Sequence, residues 1–257
     1  MDPAPGRAVS AGAEPAVQRA LERAAGWRLV AAAFAYPTET RLAAAAAEAV
    51  RVARAEHPSA VRDALEAFAA AAGTADAEAV AGEHVVLFDR QVPCPPYEGA
   101  WGDGPRPADR PVLLADVGGF YRAFGLEPAG AEPDSEDHLV AEAEFMSALA
   151  IKEAWALAEG LTDAVSVVRE AQRAFLRDHL GRWAGAFAEA LARTTPLTYY
   201  TAAAALLTAW VDAEAAGLGA DPARVAARAP VDPVAGAEVF GCPAGSCLQP
   251  RGESPGA

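Results

Sequence analysis

The sequence has few basic residues: 21 Lys and Arg stand against 35 Asp and Glu in 257 residues, for a formal net charge of −14. Binding to nucleic acid needs a basic surface that displaces counterions, and docking on anionic lipid needs clusters of Lys and Arg. The shortage of basic residues therefore argues against nucleic acid and anionic membranes as the main partners.

Cysteines and long apolar runs are also scarce. Three cysteines, an odd number, do not make an extracellular disulfide framework. Residues 1–16 lack the continuous apolar stretch of a secretory signal. Residues 194–211 are uncharged and near the lower length limit for crossing a bilayer, but they are rich in Thr and Ala, so a buried core helix is the better interpretation. We expect a cytoplasmic protein without stable membrane insertion.

Helical periodicity dominates the sequence. Alanine, the strongest helix former, is abundant, whereas the β-branched and aromatic runs that mark strands are scarce. Apolar residues recur every three or four positions, as expected for helices with one buried face. The sequence therefore predicts an all-α fold, a single bundle of about nine to ten helices over residues 16–217. Residues 1–15 are predicted to be a flexible N-terminus, and residues 218–257 a Pro/Gly/Ala-rich tail.

Prolines and capping residues indicate several helix boundaries. Pro37 is predicted to end the first helix, and Thr38 and Asp76 to cap the second and fourth. A long helix is predicted from Ser135 to about Glu159, and an alanine-rich core helix from Pro196 to Gly217.

The Pro/Gly-rich residues 91–111, QVPCPPYEGAWGDGPRPADRP, interrupt the helical pattern. Loops beyond about 15 residues in compact domains are usually functional or disordered. Tyr97 and Trp101 argue against simple disorder, because aromatic residues are scarce in unstructured tracts. The composition therefore favours a functional loop.

The segment SEDHLVAEAEFM, residues 135–146, has the most informative pattern. On a helix, His138 and Glu142 share one face, and Asp137 lies in the first turn, where a carboxylate suits the helix dipole. The pattern favours an ordinary capped helix start with a solvated pair over the alternative of a metal site.

The chain has no recognisable catalytic pattern. It has no Glu-x-x-His pair, no His-Glu-x-x-His motif, no phosphate-binding glycine loop and no Gly-x-Ser-x-Gly elbow. We therefore expect a protein that is not an enzyme, with no cofactor and no metal. Cys94, Cys242 and Cys247 are poorly spaced for structural zinc. They leave open an alternative function, a metal- or redox-responsive helical protein.

Four segments in order carry a family resemblance: HVVLFDRQVPCPPYEGAW, VGGFYRAFGL, EDHLVAEAEFM and AFLRDHLGRWAGAF. The first resembles the pattern aromatic-x-x-Leu-Phe followed by Pro-Pro-aromatic, and the third resembles Asp-His-Leu-x-x-Glu-Leu-x-Phe-Met. Together they resemble the TorD/DmsD/NarJ-type chaperones of molybdenum enzymes, including those dedicated to the DMSO-reductase type II group. His84, Gly99 and Ala143 depart from the family pattern, which leaves the subgroup and the client open.

The resemblance implies an all-helical cytoplasmic chaperone, monomeric or homodimeric. Its implied partners are the catalytic subunit of a molybdopterin (DMSO-reductase-family) oxidoreductase and that subunit's N-terminal twin-arginine signal peptide. It would assist cofactor insertion and assembly before export. Carboxylates would meet the guanidinium groups, and apolar side chains would line a groove for the hydrophobic part of the signal. The predicted signal-peptide- and client-binding residues are Leu87, Phe88, Pro96, Tyr97, Glu98, Trp101, Asp137, His138, Leu139 and Glu142.

Overall fold

A computed structural model describes residues 14–90, 93–101, 110–127 and 136–226. Within these ranges the chain forms nine α-helices and no strand, which confirms the predicted all-α fold. The helices are α1 Glu14–Phe34, α2 Glu39–Val52, α3 Ser59–Gly73, α4 Ala77–His84, α5 Arg110–Ala123, α6 Leu139–Ala158, α7 Thr162–Asp178, α8 Leu180–Thr194 and α9 Thr198–Leu218. A π-helical turn, Val85–Arg90, continues α4, and a short 3₁₀ turn, Glu98–Ala100, lies in the Pro/Gly-rich loop.

Local side-chain chemistry fixes several helix ends. Thr38 Oγ1 accepts a hydrogen bond from Arg41 N at 3.2 Å, and Asp76 Oδ1 accepts one from Ala79 N at 2.8 Å, so both predicted N-caps are confirmed. The alanine-rich helix α9 ends later than predicted, because Gly219, with φ of 65°, takes the left-handed conformation that closes the helix.

The core forms between the long helices. Helix α1 packs against α6, α2 against α3, and α8 against α9, which also contacts α3. Gly26 on α1 lies so close to the Trp210 ring that a Cβ atom there would clash with it, so only glycine fits. The largest fully buried side chains are Trp27, Trp183, Tyr200, Phe68, Phe175 and Phe187.

Helix α9 is a core helix, as the sequence predicted. Tyr200, Leu207 and Trp210 on α9 are all buried. Among the described residues, no helix is long and apolar enough to cross a membrane. The predicted division into a flexible N-terminus, a helical domain and a tail stays a prediction, because residues 1–13 and 227–257 lie outside the described ranges.

Candidate functional site

The Pro/Gly-rich loop and the start of α6 are joined by backbone hydrogen bonds. Tyr97 and His138 form an isolated antiparallel bridge, in which Glu98 N donates to Asp137 O at 2.9 Å and Leu139 N donates to Pro96 O at 2.9 Å. The pairing brings together two of the segments that carry the family resemblance, although 38 residues separate Gly99 from Asp137 along the chain.

His138 sets the beginning of α6. Its backbone is extended, with φ of −80° and ψ of 137°, and its Nδ1 accepts a hydrogen bond from Val140 N at 3.1 Å. The helix therefore begins at Leu139, not at Ser135, and the predicted position of Asp137 inside the first helical turn is wrong. The imidazole caps the helix, and Asp137 is held by the loop instead.

Three buried acidic residues, Glu98, Asp137 and Glu142, form what we call the carboxylate cluster. Asp137 Oδ2 accepts a hydrogen bond from Gly99 N at 3.1 Å, and Glu142 Oε2 accepts one from Trp183 Nε1 at 3.2 Å. Glu98 Oε2 lies 3.0 Å from His179 Nδ1, within hydrogen-bonding distance. The cluster thus joins the loop, α6 and α8.

The carboxylate cluster contains more acceptors than donors. Asp137 Oδ1 and Glu142 Oε1 are buried and have no hydrogen-bond partner in the part of the chain that the structure describes. Burial raises the pKa of Glu142 well above its usual value, and the nearby charges of Glu98 and Asp137 raise that pKa further. Such a site gains from a cationic hydrogen-bond donor.

Three aromatic residues lie next to the cluster. Tyr97 packs edge-on against the His138 ring with centroids 5.0 Å apart, and both side chains are half-buried. Trp101 Nε1 donates a hydrogen bond to Pro95 O at 2.9 Å, which holds the half-buried indole against the loop. Tyr97 and His138 adjoin Glu98 and Asp137 in the chain, and Trp101 N donates a hydrogen bond to Glu98 O at 3.0 Å, so all three aromatic residues are close to the cluster.

The predicted client-binding residues separate into two groups. Pro96, Tyr97, Glu98, Asp137, His138, Leu139 and Glu142 come together at the junction of the loop and α6. The second group is Leu87, Phe88 and Trp101, of which Leu87 and Phe88 are buried in the core. Phe88 and Trp101 both pack against the Phe187 ring, Phe88 stacked with centroids 6.2 Å apart and Trp101 edge-on with centroids 6.0 Å apart. Their role in client binding stays a prediction.

Sequence reasoning missed three residues of the site. Arg110 Nη2 lies 3.8 Å from Asp137 Oδ1, and His179 and Trp183 contact Glu98 and Glu142. His179 and Trp183 are four residues apart in the fourth family-like segment, and their spacing was the available signal. Arg110 gave no signal, because it lies in the irregular Pro/Gly-rich region.

The cysteine alternative gains little support from the described residues. Cys94 is fully buried, and burial raises the pKa of its thiol, which disfavours the reactive thiolate. No group of three or more His, Cys, Asp or Glu with metal-binding geometry occurs in the described ranges. Cys242 and Cys247 lie outside the described residues, so their part in a site stays a prediction.

A second buried charged cluster, which we call the arginine network, joins α1, α6, α7 and α9. Arg23 donates hydrogen bonds to Glu214 at 2.8 Å, to Glu153 at 2.7 Å and to Gln172 at 2.5 Å. Arg169 donates to the other Glu153 oxygen at 2.6 Å. A cavity of about 440 Å³ borders this network.

The arginine network is balanced electrostatically. Burial acts to lower the pKa of Arg23, but the carboxylates of Glu214 and Glu153 outweigh burial and raise it. Burial likewise acts to raise the pKa of Glu153, but hydrogen bonds from Gln172, Arg23 and Arg169 lower it. Each buried carboxylate of the network has a hydrogen-bond partner, so the network does not need a ligand to satisfy its charges.

Comparison with known proteins gives two matches. The family model described as nitrate reductase delta subunit matches residues 54–189, which include the loop, the start of α6 and most of α8. The perchlorate reductase assembly chaperone protein of Dechloromonas aromatica (strain RCB) is 36% identical over 99 residues, 38% of this chain and 43% of that relative. The alignment thus spans less than half the length of this relative.

Proposed function

The chain belongs to the nitrate reductase delta subunit family, and from this premise we propose that it is an assembly chaperone for the catalytic subunit of a molybdopterin oxidoreductase. The similarity to a perchlorate reductase assembly chaperone supports this function. In this proposal the protein binds its client before assembly is complete and carries out no turnover. The finer proposal is that it recognises a twin-arginine signal peptide in the cytoplasm and assists cofactor insertion before export.

The observation that carries the proposal is the unbalanced charge of the carboxylate cluster. Asp137 Oδ1 and Glu142 Oε1 are buried without a hydrogen-bond partner among the described residues. A guanidinium group presents five N–H donors in a planar fork that matches a carboxylate. Charge-assisted bonds of this kind are about twice as strong as neutral ones. The cluster is therefore chemically suited to an arginine side chain from a client.

The aromatic residues above the cluster suit the rest of a signal peptide. Tyr97 and Trp101 are half-buried residues of the loop that carries Glu98. Guanidinium groups stack on aromatic faces, and apolar peptide segments pack against aromatic side chains. Leu87, Phe88 and Leu139 are buried beneath this surface and would support it from within the core.

Co-expression with a candidate catalytic subunit tests the proposal. The subunit would carry its native leader, a leader with both arginines replaced by glutamine, or no leader, and the complex would be isolated through a tag on the subunit. We expect recovery with the native leader and severalfold less complex with either altered leader.

The chaperone variant Asp137→Asn tests the site in the same experiment. Asparagine preserves an acceptor for Gly99 N but removes the charge, so we expect less complex and an unchanged circular dichroism spectrum. Asp63→Asn, on the exposed face of α3, is the matched control and should bind as the unmodified chain does. Equal recovery with all leaders and with Asp137→Asn would contradict recognition through the carboxylate cluster.

A further inference from the structure

Arg110 already lies where a client guanidinium would be expected. Its Nη2 is 3.8 Å from Asp137 Oδ1, and its Cζ is 6.0 Å from the centroid of the Tyr97 ring. The Arg110 side chain is 51% exposed, whereas that of Asp137 is 0% exposed. One cationic side chain at the surface thus faces both a buried carboxylate and an aromatic face.

The contact made by Arg110 is incomplete. At 3.8 Å, Arg110 and Asp137 form an ion pair, but the distance is too long for a hydrogen bond. Asp137 Oδ1 therefore has no hydrogen-bond partner within residues 14–90, 93–101, 110–127 and 136–226. The Arg110 guanidinium is half-exposed and donates no hydrogen bond to Asp137, so this contact holds it less tightly than the hydrogen-bonded contact holds Arg23 to Glu214. Arg110 is therefore placed to leave the carboxylate when a better donor arrives.

We infer that Arg110 is an internal competitor that occupies the position taken by a client arginine, so that client binding must displace it. This inference rests on the proposed function, because it concerns the same carboxylate cluster. A resident guanidinium covers the buried charge of Asp137 in the free chaperone. It also weakens client binding, and it can return to Asp137 when the client leaves.

The charge around Asp137 supports this competition. The groups that face the cluster are the acidic Glu98 and Glu142 from the loop and α6, with His179 from the junction of α7 and α8 and Arg110 from α5. His179 is engaged by Glu98 at 3.0 Å, and its Nε2 lies 3.6 Å from Asp116 of α5. Arg110 is thus the arginine of the described chain that faces Asp137, and removing it leaves the acidic groups in excess.

Peptide binding tests the inference. The probe is a labelled peptide with two adjacent arginines followed by a leucine- and alanine-rich segment, compared with the same peptide carrying two glutamines, by fluorescence anisotropy at about 0.15 M salt. Displacing a weak ion pair corresponds to an affinity change of a fewfold. We expect Arg110→Gln to bind the arginine peptide about threefold to tenfold more tightly than the unmodified chain, with no gain for the glutamine peptide.

Two further variants separate competition from a general charge effect. Arg122→Gln makes the same change of net charge at the other end of α5, about 18 Å away along a helix of 1.5 Å rise per residue. Among the described residues Arg122 donates a hydrogen bond to Ala115 O at 3.4 Å and makes no ion pair with Asp137. Competition at Asp137 therefore predicts less than a twofold change for Arg122→Gln, whereas a general charge effect predicts a gain equal to that of Arg110→Gln. Arg110→Lys retains the cation and should bind within about twofold of the unmodified chain.

The outcomes distinguish the inference from the proposed function. If the unmodified chain binds both peptides equally, arginine recognition by this site is wrong, and the inference is overturned with it. If it prefers the arginine peptide but Arg110→Gln binds no more tightly, or binds more weakly, the inference alone is overturned. A gain for Arg110→Gln that Arg122→Gln matches also overturns it.

Discussion

The two buried charged clusters of this molecule differ in how their carboxylates are satisfied. In the arginine network, Glu153 and Glu214 receive hydrogen bonds from Arg23, with Arg169 and Gln172 completing the shell of Glu153. In the carboxylate cluster, Asp137 and Glu142 each keep a buried oxygen without a hydrogen-bond partner in the described chain. The charges of the arginine network are paired, whereas among the described residues the carboxylate cluster lacks a cationic hydrogen-bond donor for these two oxygens.

The pKa values of Glu153 in the arginine network and Glu142 in the carboxylate cluster shift in opposite directions, as this difference in hydrogen-bond partners predicts. The pKa of Glu153 is lowered, because hydrogen bonds and neighbouring arginines overcome burial, whereas burial and neighbouring acids together raise the pKa of Glu142. Both residues lie on α6, 11 residues or about 16 Å apart along a helix of 1.5 Å rise per residue. One helix thus carries a structural ionic site and a candidate binding site.

The largest effect is expected from breaking the arginine network. Arg23→Met removes the cation that Glu153 and Glu214 share and leaves both carboxylates buried without it, which for buried pairs costs about 3–5 kcal/mol. Urea unfolding followed by circular dichroism measures the free energy of unfolding. We expect a loss of that size at pH 7.

The control for this variant is an exposed pair. Arg28 and Glu48 are 62% and 23% exposed, and exposed pairs contribute about 0–1 kcal/mol, so Arg28→Met should lower the free energy of unfolding by less than about 1 kcal/mol. Equal losses in the two variants would contradict the structural role of the arginine network.

A smaller effect of opposite sign is expected from Glu142→Gln. The folded chain raises the pKa of Glu142 and therefore holds its proton more tightly than the unfolded chain does. This contribution to stability is fully present below the usual glutamate pKa and is lost as the pH rises through the folded-state value. The amide carries no proton to lose, so the stability of the variant relative to the unmodified chain should rise as the pH increases above the usual glutamate pKa, by an amount on the order of 1 kcal/mol.

Urea unfolding at several pH values measures this gain. Glu66→Gln, on the exposed face of α3, is the matched control and should show no pH-dependent difference. A Glu142→Gln variant that follows the pH dependence of the unmodified chain would mean that the carboxylate is better satisfied than the contacts indicate.

Local sequence signals predicted most of the fold but little of the site. Thr38 and Asp76 each cap a backbone N–H group three residues further along the chain, so both caps were readable from the sequence. The start of α6 was misplaced, because the backbone of Asp137 and Leu139 pairs with the distant Glu98 and Pro96. That pairing is tertiary and leaves no local periodicity.

The sequence predicted which acidic residues belong to the site, but it did not predict that they are buried next to one another. Asp137 and Glu142 stood out in a family-like segment, yet the sequence placed Asp137 in a first helical turn and Glu142 on a face with His138, where a solvated pair was one interpretation. Their burial beside Glu98 depends on the loop folding over α6, and the contact with Arg110 depends on where α5 begins. Spacing along the chain does not encode either arrangement.

The most direct test is amide hydrogen exchange of the chaperone, measured by mass spectrometry with and without the co-purified catalytic subunit. The account predicts that the client slows exchange in residues 97–101 and 137–146 and leaves the segment of α7 around Arg169 and Gln172 unchanged. Slower exchange confined to the helices of the arginine network, with residues 97–101 and 137–146 unaffected, would contradict client binding at the carboxylate cluster.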